Sequence, residues 1–361
     1  MPRATIRQVA AAAGTSKSTA ARALAGHPGV HEATRRKVLD AAQRLGYHPE
    51  PALRMLTAYR WNSLQGSRPA MTIAFLFQTV RRVVEGESRL VRIGYDFVPV
   101  LTAQSQTLGY GIDPVDVTEI GDTQRLKRIL RARGIQALLV APMVEGDPMK
   151  GFAWQHFAAV SCGVGELRPP IHSVDTDHFI GLRMAWRECL RRGYKRIGPA
   201  LFRQQGADHN MAARYGAALY EQAQQPESCA QLPIFEGHLT DRDGFIAWFR
   251  DNRPDAVIAL NELPYWWLRG AGYRIPEDVG FCALNQRRPS HISGVRINLE
   301  RIANRALLWL DQLLRSFTTG LPTVPEEVYV PPMWSEAETL RRPRESATRQ
   351  TPRPTPTPPA L

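Results

Sequence analysis

The sequence predicts an all-α helix-turn-helix head with a hinge helix, followed by a two-lobed α/β domain built on doubly wound parallel sheets. Two short amphipathic helices on either side of a glycine predict the head. Beyond residue 70, apolar strands alternate with amphipathic helices, a pattern typical of a parallel sheet that is covered on both faces. Because the alternation repeats after residue 156, two lobes of this kind are expected.

Charge is concentrated at the two ends of the 361-residue chain, whose formal net charge is +12. Residues 1–60 hold ten Lys and Arg against three Asp and Glu, and residues 341–361 hold five against one, so the middle is nearly neutral. A basic head on a neutral body is typical of phosphate contact.

We expect four segments: the head at 1–49, a hinge helix and linker at 50–69, a two-lobed domain at 70–340, and a disordered, basic, proline-rich tail at 341–361.

The first two helices are predicted from local capping signals. Thr5 and Gln8 have the spacing of a capping box, so a helix should begin near Ile6. Gly14 can adopt the left-handed conformation that a tight turn needs, and Ser16 can cap a second helix of about ten residues that ends near Ala25. This is the spacing of a helix-turn-helix.

The second predicted helix has a core face and a polar face. Its alanines and those of the first helix allow close packing, with Val9 and Leu24 as the larger core contacts. Two alternatives are open. The whole segment could be a small helical subdomain that makes no DNA contact, and each single residue could simply lie on a solvent-exposed helix face. The face that could enter a major groove is formed by Lys17, Ser18, Ala21, Arg22 and Ala25.

A third helix is predicted from Glu32 to Leu45. A further short pattern, from Pro51 to Ala58, begins with a proline in a first-turn position, where its missing N–H costs little. So short a helix should become ordered only against DNA or a second copy of the chain. The apolar side of the third helix is predicted to consist of Val38, Leu39, Ala42 and Leu45.

The body is predicted as an alternation of strands and helices. The expected strands are 71–77, 111–117, 135–141, 157–161, 197–202, 233–236 and 256–260. The expected helices are 90–108, 123–133, 179–192, 209–224 and 241–251.

Several classes of protein lack support in the sequence. The four cysteines are scattered without metal-ligand spacing, which favours buried free thiols over a disulfide framework or a zinc site. We find no secretory signal, and the longest apolar run, from Ala70 to Phe77, is too short to span a bilayer. A cytoplasmic protein is therefore expected, without a cofactor or a metal.

An enzyme on a doubly wound scaffold is one alternative, but we find no glycine-rich phosphate loop, no G-x-S-x-G elbow and no metal-spaced histidines. A cytoplasmic sugar-binding sensor or carrier without gene control is the other alternative. The helix-turn-helix pattern argues against it.

The N-terminal motifs resemble a known family. TIRQVAAAAGTSKSTAARAL (5–24) and TRRKVLDAAQRLGYHPEPALRML (34–56) are similar to the head and hinge of the LacI (lactose-repressor) family of bacterial transcription regulators. The resemblance implies that Lys17, Ser18 and Arg22 read bases in the major groove and that Leu56 wedges into the minor groove. Pro51 and Leu53 depart from the family pattern in the hinge. Residues better placed for phosphates are Thr5, Ser16 and Thr19.

The body also resembles this family, whose effector domain is built like periplasmic sugar-binding proteins. The matching segments are SVDTDHFIGLRMA (173–185), RRGYKRIG (191–198), AVIALNE (256–262), GYRIPEDVGFCALNQ (272–286) and SGVRINLERIANRALLWL (293–310). The resemblance implies three chain crossings between lobes, near 162–165, 285–289 and 320–322, with a sugar-like effector in the cleft between them. It also implies a repressor at the nucleoid that binds a pseudo-palindromic operator as a homodimer.

Effector-binding candidates follow from position in the chain. By resemblance, Asn261 and Asn285 match family ligand positions, and Arg214 is the nearest substitute for an arginine that is missing here, although a surface role is equally open. Further candidates are Gln78, Thr79 and Asp175, for which helix capping or loop solvation is the alternative. The aromatic run Tyr265–Trp267 could stack on a ligand, or it could belong to the core or a subunit interface.

Overall fold

A computed structural model of the chain describes residues 4–24, 30–45, 47, 71–163, 165, 169–202, 209–238, 240–286 and 290–342, apart from residues 85–86; the side chains of 82–88 are also left out. The predicted hinge helix and its wedge residue Leu56, the recognition-face residue Ala25 and the C-terminal tail beyond residue 342 lie outside the described residues. Among the described helices, none has the length and the apolar character needed to cross a bilayer.

The head consists of three helices around one small core. They are α1 (Ile6–Ala12), α2 (Lys17–Leu24) and α3 (Glu32–Arg44), close to the predicted bounds. Small side chains dominate the core, which allows the helices to pack closely. Its larger members are Val9, Val30 and Val38, and Leu24 is partly buried against them. One expectation was wrong: Leu39 and Leu45 are exposed, and Ala41 takes the core position beside Ala42.

The body divides into two compact units. Unit 1 comprises the described residues up to Val174, which include the head, and Ala303–Glu327; unit 2 comprises the described residues within 175–302 and from Val328 to residue 342. The chain therefore passes between the units three times, as expected. Each passage lies later than the predicted position.

The first sheet has seven strands in the order β11-β6-β5-β4-β1-β2, with β3 paired to β1. Strands β3, β4, β5 and β6 run parallel within the sheet, whereas β2 is antiparallel to β1. Its strands are β1 (Met71–Val84), β2 (Glu87–Ile93), β3 (Tyr110–Asp116), β4 (Ala137–Val140), β5 (Ala158–Cys162), β6 (His172–Thr176) and β11 (Glu327–Val330). The helices around it are α4 (Phe97–Thr107), α5 (Val117–Ile120), α6 (Thr123–Ala132) and α11 (Leu299–Arg315).

The second sheet has five strands in the order β12-β10-β9-β8-β7, and only β12, at one edge, is antiparallel to its neighbour. Every residue of β7 and β8 is buried, as expected for strands covered on both faces. The strands are β7 (Ile197–Ala200), β8 (Ala256–Ala259), β9 (Gly280–Gln286), β10 (Gly294–Arg296) and β12 (Met333–Ser335). The helices are α7 (His178–Arg191), α8 (His209–Gln224), α9 (Arg242–Asn252) and α10 (Leu263–Gly270).

The start of the body differs from the prediction. The first strand continues for seven residues past Phe77, and residues 87–93 form an antiparallel strand beside it, although a helix was expected to begin at Leu90. The helix begins only at Phe97. Likewise, the strand predicted at 233–236 is reduced to a single bridge between Phe235 and Ala200.

Of the four cysteines, all of which are unpaired, three are buried as expected, but Cys229 is partly exposed. A hydrogen bond with Cys282 and burial together raise the pKa of the Cys189 thiol. Burial alone raises the pKa of Cys162.

Candidate functional site

The start of α1 is held by the predicted capping box, and the turn that follows the helix is formed at a glycine. The Thr5 backbone N–H donates to Gln8 Oε1 at 2.7 Å, and the Gln8 N–H donates to Thr5 Oγ1 at 3.4 Å, so both cap donors are satisfied. After α1, Gly14 has φ +64°, which a residue with a side chain rarely adopts. The tight turn between α1 and α2 therefore depends on this glycine.

The second helix begins in a network of hydroxyl groups. Ser16 Oγ accepts a hydrogen bond from the Thr19 N–H at 3.0 Å and lies 2.8 Å from Thr19 Oγ1 and 2.9 Å from Ser18 Oγ. This confirms Ser16 as the cap of α2. Because an N-terminal turn also has backbone N–H groups directed outward, these residues lie where a phosphate oxygen could be received.

The exposed face of α2 carries the side chains that the sequence singled out. Lys17, Ser18 and Arg22 are all exposed, and Ala20 and Ala23, on the other side, are buried in the head core. The helix contains two basic residues and no acidic one. The lysine and the arginine on this face can donate hydrogen bonds to the acceptor atoms that guanine presents in the major groove.

Unit 2 holds a buried cluster of four polar side chains, which we call the polar cluster: Asp175, His178, Asn210 and Arg214. Asn210 Nδ2 donates to Asp175 Oδ2 at 3.3 Å, and His178 Nε2 lies 3.8 Å from the same oxygen. On its other side, His178 Nδ1 lies 2.9 Å from the Arg214 guanidinium. All four side chains are more than nine-tenths buried.

Three neighbouring elements position this cluster. Asp175 lies in β6 near its carboxyl end, and Asp177 caps α7 by accepting a hydrogen bond from the Ile180 N–H at 2.9 Å, which makes His178 the first residue of that helix. Asn210 and Arg214 are four residues apart on α8 and therefore share one face. Helices α7 and α8 pack side by side, so this face meets Asp175 and His178.

The polar cluster combines an acceptor, an amide and a cationic donor in one place. Carboxylate and amide groups can bind adjacent hydroxyls, and a guanidinium donates several hydrogen bonds in a fixed geometry. Burying such groups is costly unless partners are supplied, and here they supply partners to one another. The sequence singled out Asp175 and Arg214 but missed His178 and Asn210. The four-residue spacing from Asn210 to Arg214, which places both on one helix face, was the signal that could have identified Asn210.

The remaining predicted ligand residues have local roles or an exposed position. Asn261 Oδ1 accepts a hydrogen bond from the Leu263 N–H at 2.9 Å at the start of α10, whereas Asn285 is exposed on β9. In unit 1, Gln78 Oε1 accepts from the Val144 N–H at 3.0 Å, and its amide donates to the Glu145 carbonyl. Thr79 donates its hydroxyl hydrogen to Asp116.

The aromatic run on α10 is mainly a core feature. Trp267 packs against Phe202 and Phe245, with ring centroids 6.1 and 5.6 Å apart, and Tyr265 packs edge-on against Phe281 at 5.7 Å. Trp266, by contrast, is 51% exposed. Of the run, only this ring is available to a partner in the described part of the chain.

A separate concavity of about 380 Å³ lies in unit 1, lined mainly by Met143, Met149, Phe152 and Trp154, with Asp147 and Lys150 as its charged residues. Its volume would suit a small ligand. None of the predicted ligand residues is among those that line it. The described residues also contain no group of three or more His, Cys, Asp or Glu side chains that could hold a metal ion.

Comparison with known families matches two parts of the chain. Residues 5–50 match the family described as "Bacterial regulatory proteins, lacI family", and residues 186–339 match the "Periplasmic binding protein-like domain". The HTH-type transcriptional regulator GntR of Pseudomonas aeruginosa is 37% identical over 151 residues, which is 40% of this chain. The aligned part spans 44% of that regulator, so the likeness covers less than half of its length.

Solved structures are similar in fold over most of the chain. A transcriptional regulator CelR–cellobiose complex is 19% identical with a TM-score of 0.52, covering 93% of this chain and all of that one. The lac repressor dimer bound to operator and an anti-inducer is 16% identical with a TM-score of 0.53, covering 94% of this chain and all of that one. At these identities the likeness establishes the fold: a helical head followed by a periplasmic-binding-protein-like body.

Proposed function

We propose that this chain, which belongs to the LacI family of bacterial regulatory proteins, represses transcription by binding a pseudo-palindromic operator as a homodimer. Lys17, Ser18 and Arg22 would contact base edges, while Thr5, Ser16 and Thr19 would contact phosphates and fix the register. The family consists of DNA-binding regulators rather than enzymes.

One observation carries this proposal: the basic, acid-free face of α2, exposed on a capped three-helix head. Helix-turn-helix proteins place such a face in the major groove. A sensor without gene control would have no use for it.

Selection of bound sites from a random duplex pool, with the full chain at moderate salt, tests the proposal. We expect each recovered site to contain two related half-sites, because a symmetric dimer reads a symmetric sequence. Recovery of no sequence above the random competitor would favour the sensor alternative.

The predicted hinge gives a second test. Leu56→Ala should reduce bending of the selected site, because an apolar wedge kinks the duplex by unstacking a base step. Circular-permutation mobility measures the bend, with Met55→Ala, at the neighbouring position, as the control. A full bend in the Leu56 variant would mean that Leu56 is not the wedge.

We further propose that a small polyhydroxylated effector binds unit 2 at the polar cluster and changes the operator affinity. The buried Asp175, Asn210 and Arg214 have the complementary donors and acceptors for neighbouring hydroxyls. The effector can change the operator affinity only by the ratio of its own affinities for the DNA-bound and the DNA-free protein.

Arg214→Gln tests the effector site. A hydrogen bond to a charged group contributes about 1.5–3 kcal/mol, so the effector concentration for half-maximal response should rise roughly 10- to 100-fold. Operator titrations with a panel of sugars measure this, and Arg187→Gln, a largely exposed arginine on α7, is the control. An unchanged response in the Arg214 variant would exclude the polar cluster as the effector site.

A further inference from the structure

The concavity of unit 1 has the features of a second binding site. Its volume of about 380 Å³ lies within the range of small-molecule pockets. Three segments contribute to its lining: residues 143–154, the two prolines at positions 169 and 170, and Leu321. All of them belong to unit 1. The site therefore shares no residue with the polar cluster, whose side chains all belong to unit 2.

Backbone contacts hold these three segments in place. The Gly320 N–H donates a hydrogen bond to the Phe157 carbonyl at 2.9 Å, and the next residue, Leu321, is part of the cavity wall. Gly165 lies so close to the Met143 carbonyl group that a Cβ at position 165 would overlap with it. This contact fixes the chain shortly before the two prolines. The concavity is therefore a feature of the packed unit and not of one exposed loop.

The floor of the concavity is apolar. Four of its side chains are more than nine-tenths buried and belong to the core of unit 1: Met143, Met149, Phe152 and Trp154. The Phe152 and Trp154 rings pack edge-on with their centroids 4.9 Å apart, and the two prolines add a wall without backbone N–H donors. Methionine adapts its shape to an apolar partner and makes favourable contacts with aromatic rings. A floor of this kind suits a branched aliphatic or an aromatic group.

Two opposite charges lie at the rim of this floor. Asp147 and Lys150 both line the concavity, and both are exposed. They lie three residues apart in one turn, in which the Lys150 N–H donates to the Asp147 carbonyl at 3.1 Å. In the described part of the chain, neither side chain lies within ion-pair distance of an opposite charge. Both charges are therefore available to a ligand.

We propose that this concavity binds a free α-amino acid with a large apolar side chain, such as leucine, methionine or phenylalanine. The ammonium group pairs with Asp147, the carboxylate pairs with Lys150, and the side chain packs on the apolar floor. An α-amino acid carries both charges on one carbon atom, so two opposite charges in a single turn can bind it together. A sugar fits this site poorly, because its hydroxyl groups would be buried against apolar side chains without partners. The assignment goes beyond the proposed function, since it concerns a second ligand at a separate site.

The test is isothermal titration of the full-length protein without DNA, at low salt because salt screens the exposed rim charges. The probes are L-leucine, L-methionine, L-phenylalanine and glycine. We expect at least one of the three apolar amino acids to bind at least tenfold more tightly than glycine, which has no side chain to bury. The N-acetyl derivative of that amino acid lacks the cation and its amide lacks the anion. Each should bind roughly three- to tenfold more weakly than the parent.

Two variants and two matched controls locate the ligand. Asp147→Asn and Lys150→Gln should each weaken binding of the parent amino acid by roughly the same factor. In Lys150→Gln the amide should bind about as well as the parent, and in Asp147→Asn the N-acetyl derivative should do so. Asp243→Asn and Lys195→Gln remove the same charges from exposed positions in unit 2 and should leave binding unchanged. The melting temperature without ligand reports whether each variant folds.

Four results would overturn the assignment: no binding of any of the three apolar amino acids, equal binding of glycine, undiminished binding of both derivatives, or equal losses in the rim variants and their controls. Binding that is unchanged in both rim variants would place the amino acid elsewhere and would overturn it as well. Because these titrations contain no DNA and operator binding is measured separately, a failure of this inference is distinct from a failure of the proposed function.

Discussion

Replacing Arg22 with alanine is expected to weaken binding to the selected operator by roughly 10- to 100-fold and to flatten base preference at one position of each half-site. A good pairing of a side chain with a base edge contributes about 1–3 kcal/mol of discrimination, which sets this range. Arg22 is exposed on α2, and its loss removes no contact from the head core, so the fold should be retained.

Footprinting and repeated site selection measure this effect, and an arginine of α3 provides the control. Arg35 is unsuitable because its side chain is only 24% exposed and lies 3.9 Å from Glu32. Arg36 is exposed, and Arg36→Ala should at most weaken binding evenly across sequences and lower its salt dependence. Unchanged base preference in Arg22→Ala would mean that α2 is not oriented as proposed.

The head could be predicted almost to the residue because its signals are local. The Thr5–Gln8 box, the glycine at position 14 and the Ser16 cap each specify a helix end through atoms only a few residues apart. The prediction for the buried face of α3 was wrong at two positions, because Leu39 and Leu45 have the apolar character of core residues. The compact alanine-rich core instead leaves them exposed.

The β1–β2 hairpin was missed although part of its signal was present. The run from Thr79 to Val84 is rich in β-branched residues, and the glycine at position 86 is suited to a turn. Residues 90–108 nevertheless suggested one long helix, because apolar residues recur on both sides of the short segment Gly94–Asp96. Which interpretation is right depends on pairing with β1, which periodicity in one segment cannot reveal.

The polar cluster could not be predicted for the same reason, since its residues come together only through packing between distant segments. Asp175 and Arg214 were candidates for separate reasons. The spacing from Asn210 to Arg214 indicates a shared helix face, but nothing in the sequence indicated that this face meets Asp175 and His178. Their proximity depends on how α7 packs against α8. For Asn261, by contrast, no local role was considered from the sequence, and in the structure its side-chain oxygen accepts a hydrogen bond from the Leu263 N–H.

The largest loss of stability is expected at Arg192, in unit 2. Its side chain is fully buried, where its guanidinium bonds to Glu188 on α7 and to Glu336 after β12 at 2.6 Å, and lies 5.6 Å from the centre of the Trp334 ring. Removing one partner of a buried ion pair costs about 3–5 kcal/mol. Because Glu336 is half exposed and can regain water, we expect Arg192→Ala to fall at the lower end, about 3 kcal/mol.

Arg191 is a close control, since it also bonds to Glu188, at 2.7 Å, but is half exposed. Arg191→Ala should cost no more than about 1 kcal/mol. Urea unfolding at pH 7, followed through the combined fluorescence of the eight tryptophans, measures both free energies of unfolding. Equal losses in the two variants would contradict a special role for the buried arginine.

The pH dependence of the Arg192→Ala effect follows from the acidic partner. Burial acts to raise the pKa of Glu188, but hydrogen bonds from Arg191 and Arg192 outweigh it and lower the pKa below its usual value. A carboxylate with a lowered pKa adds stability above its unfolded pKa of about 4.3, and this stability is lost as the pH falls through the folded value. The difference in unfolding free energy between wild type and Arg192→Ala should therefore narrow as the pH falls below about 4. A difference that stays constant or widens in acid would mean that packing against Trp334, rather than the charge on Glu188, makes Arg192 important.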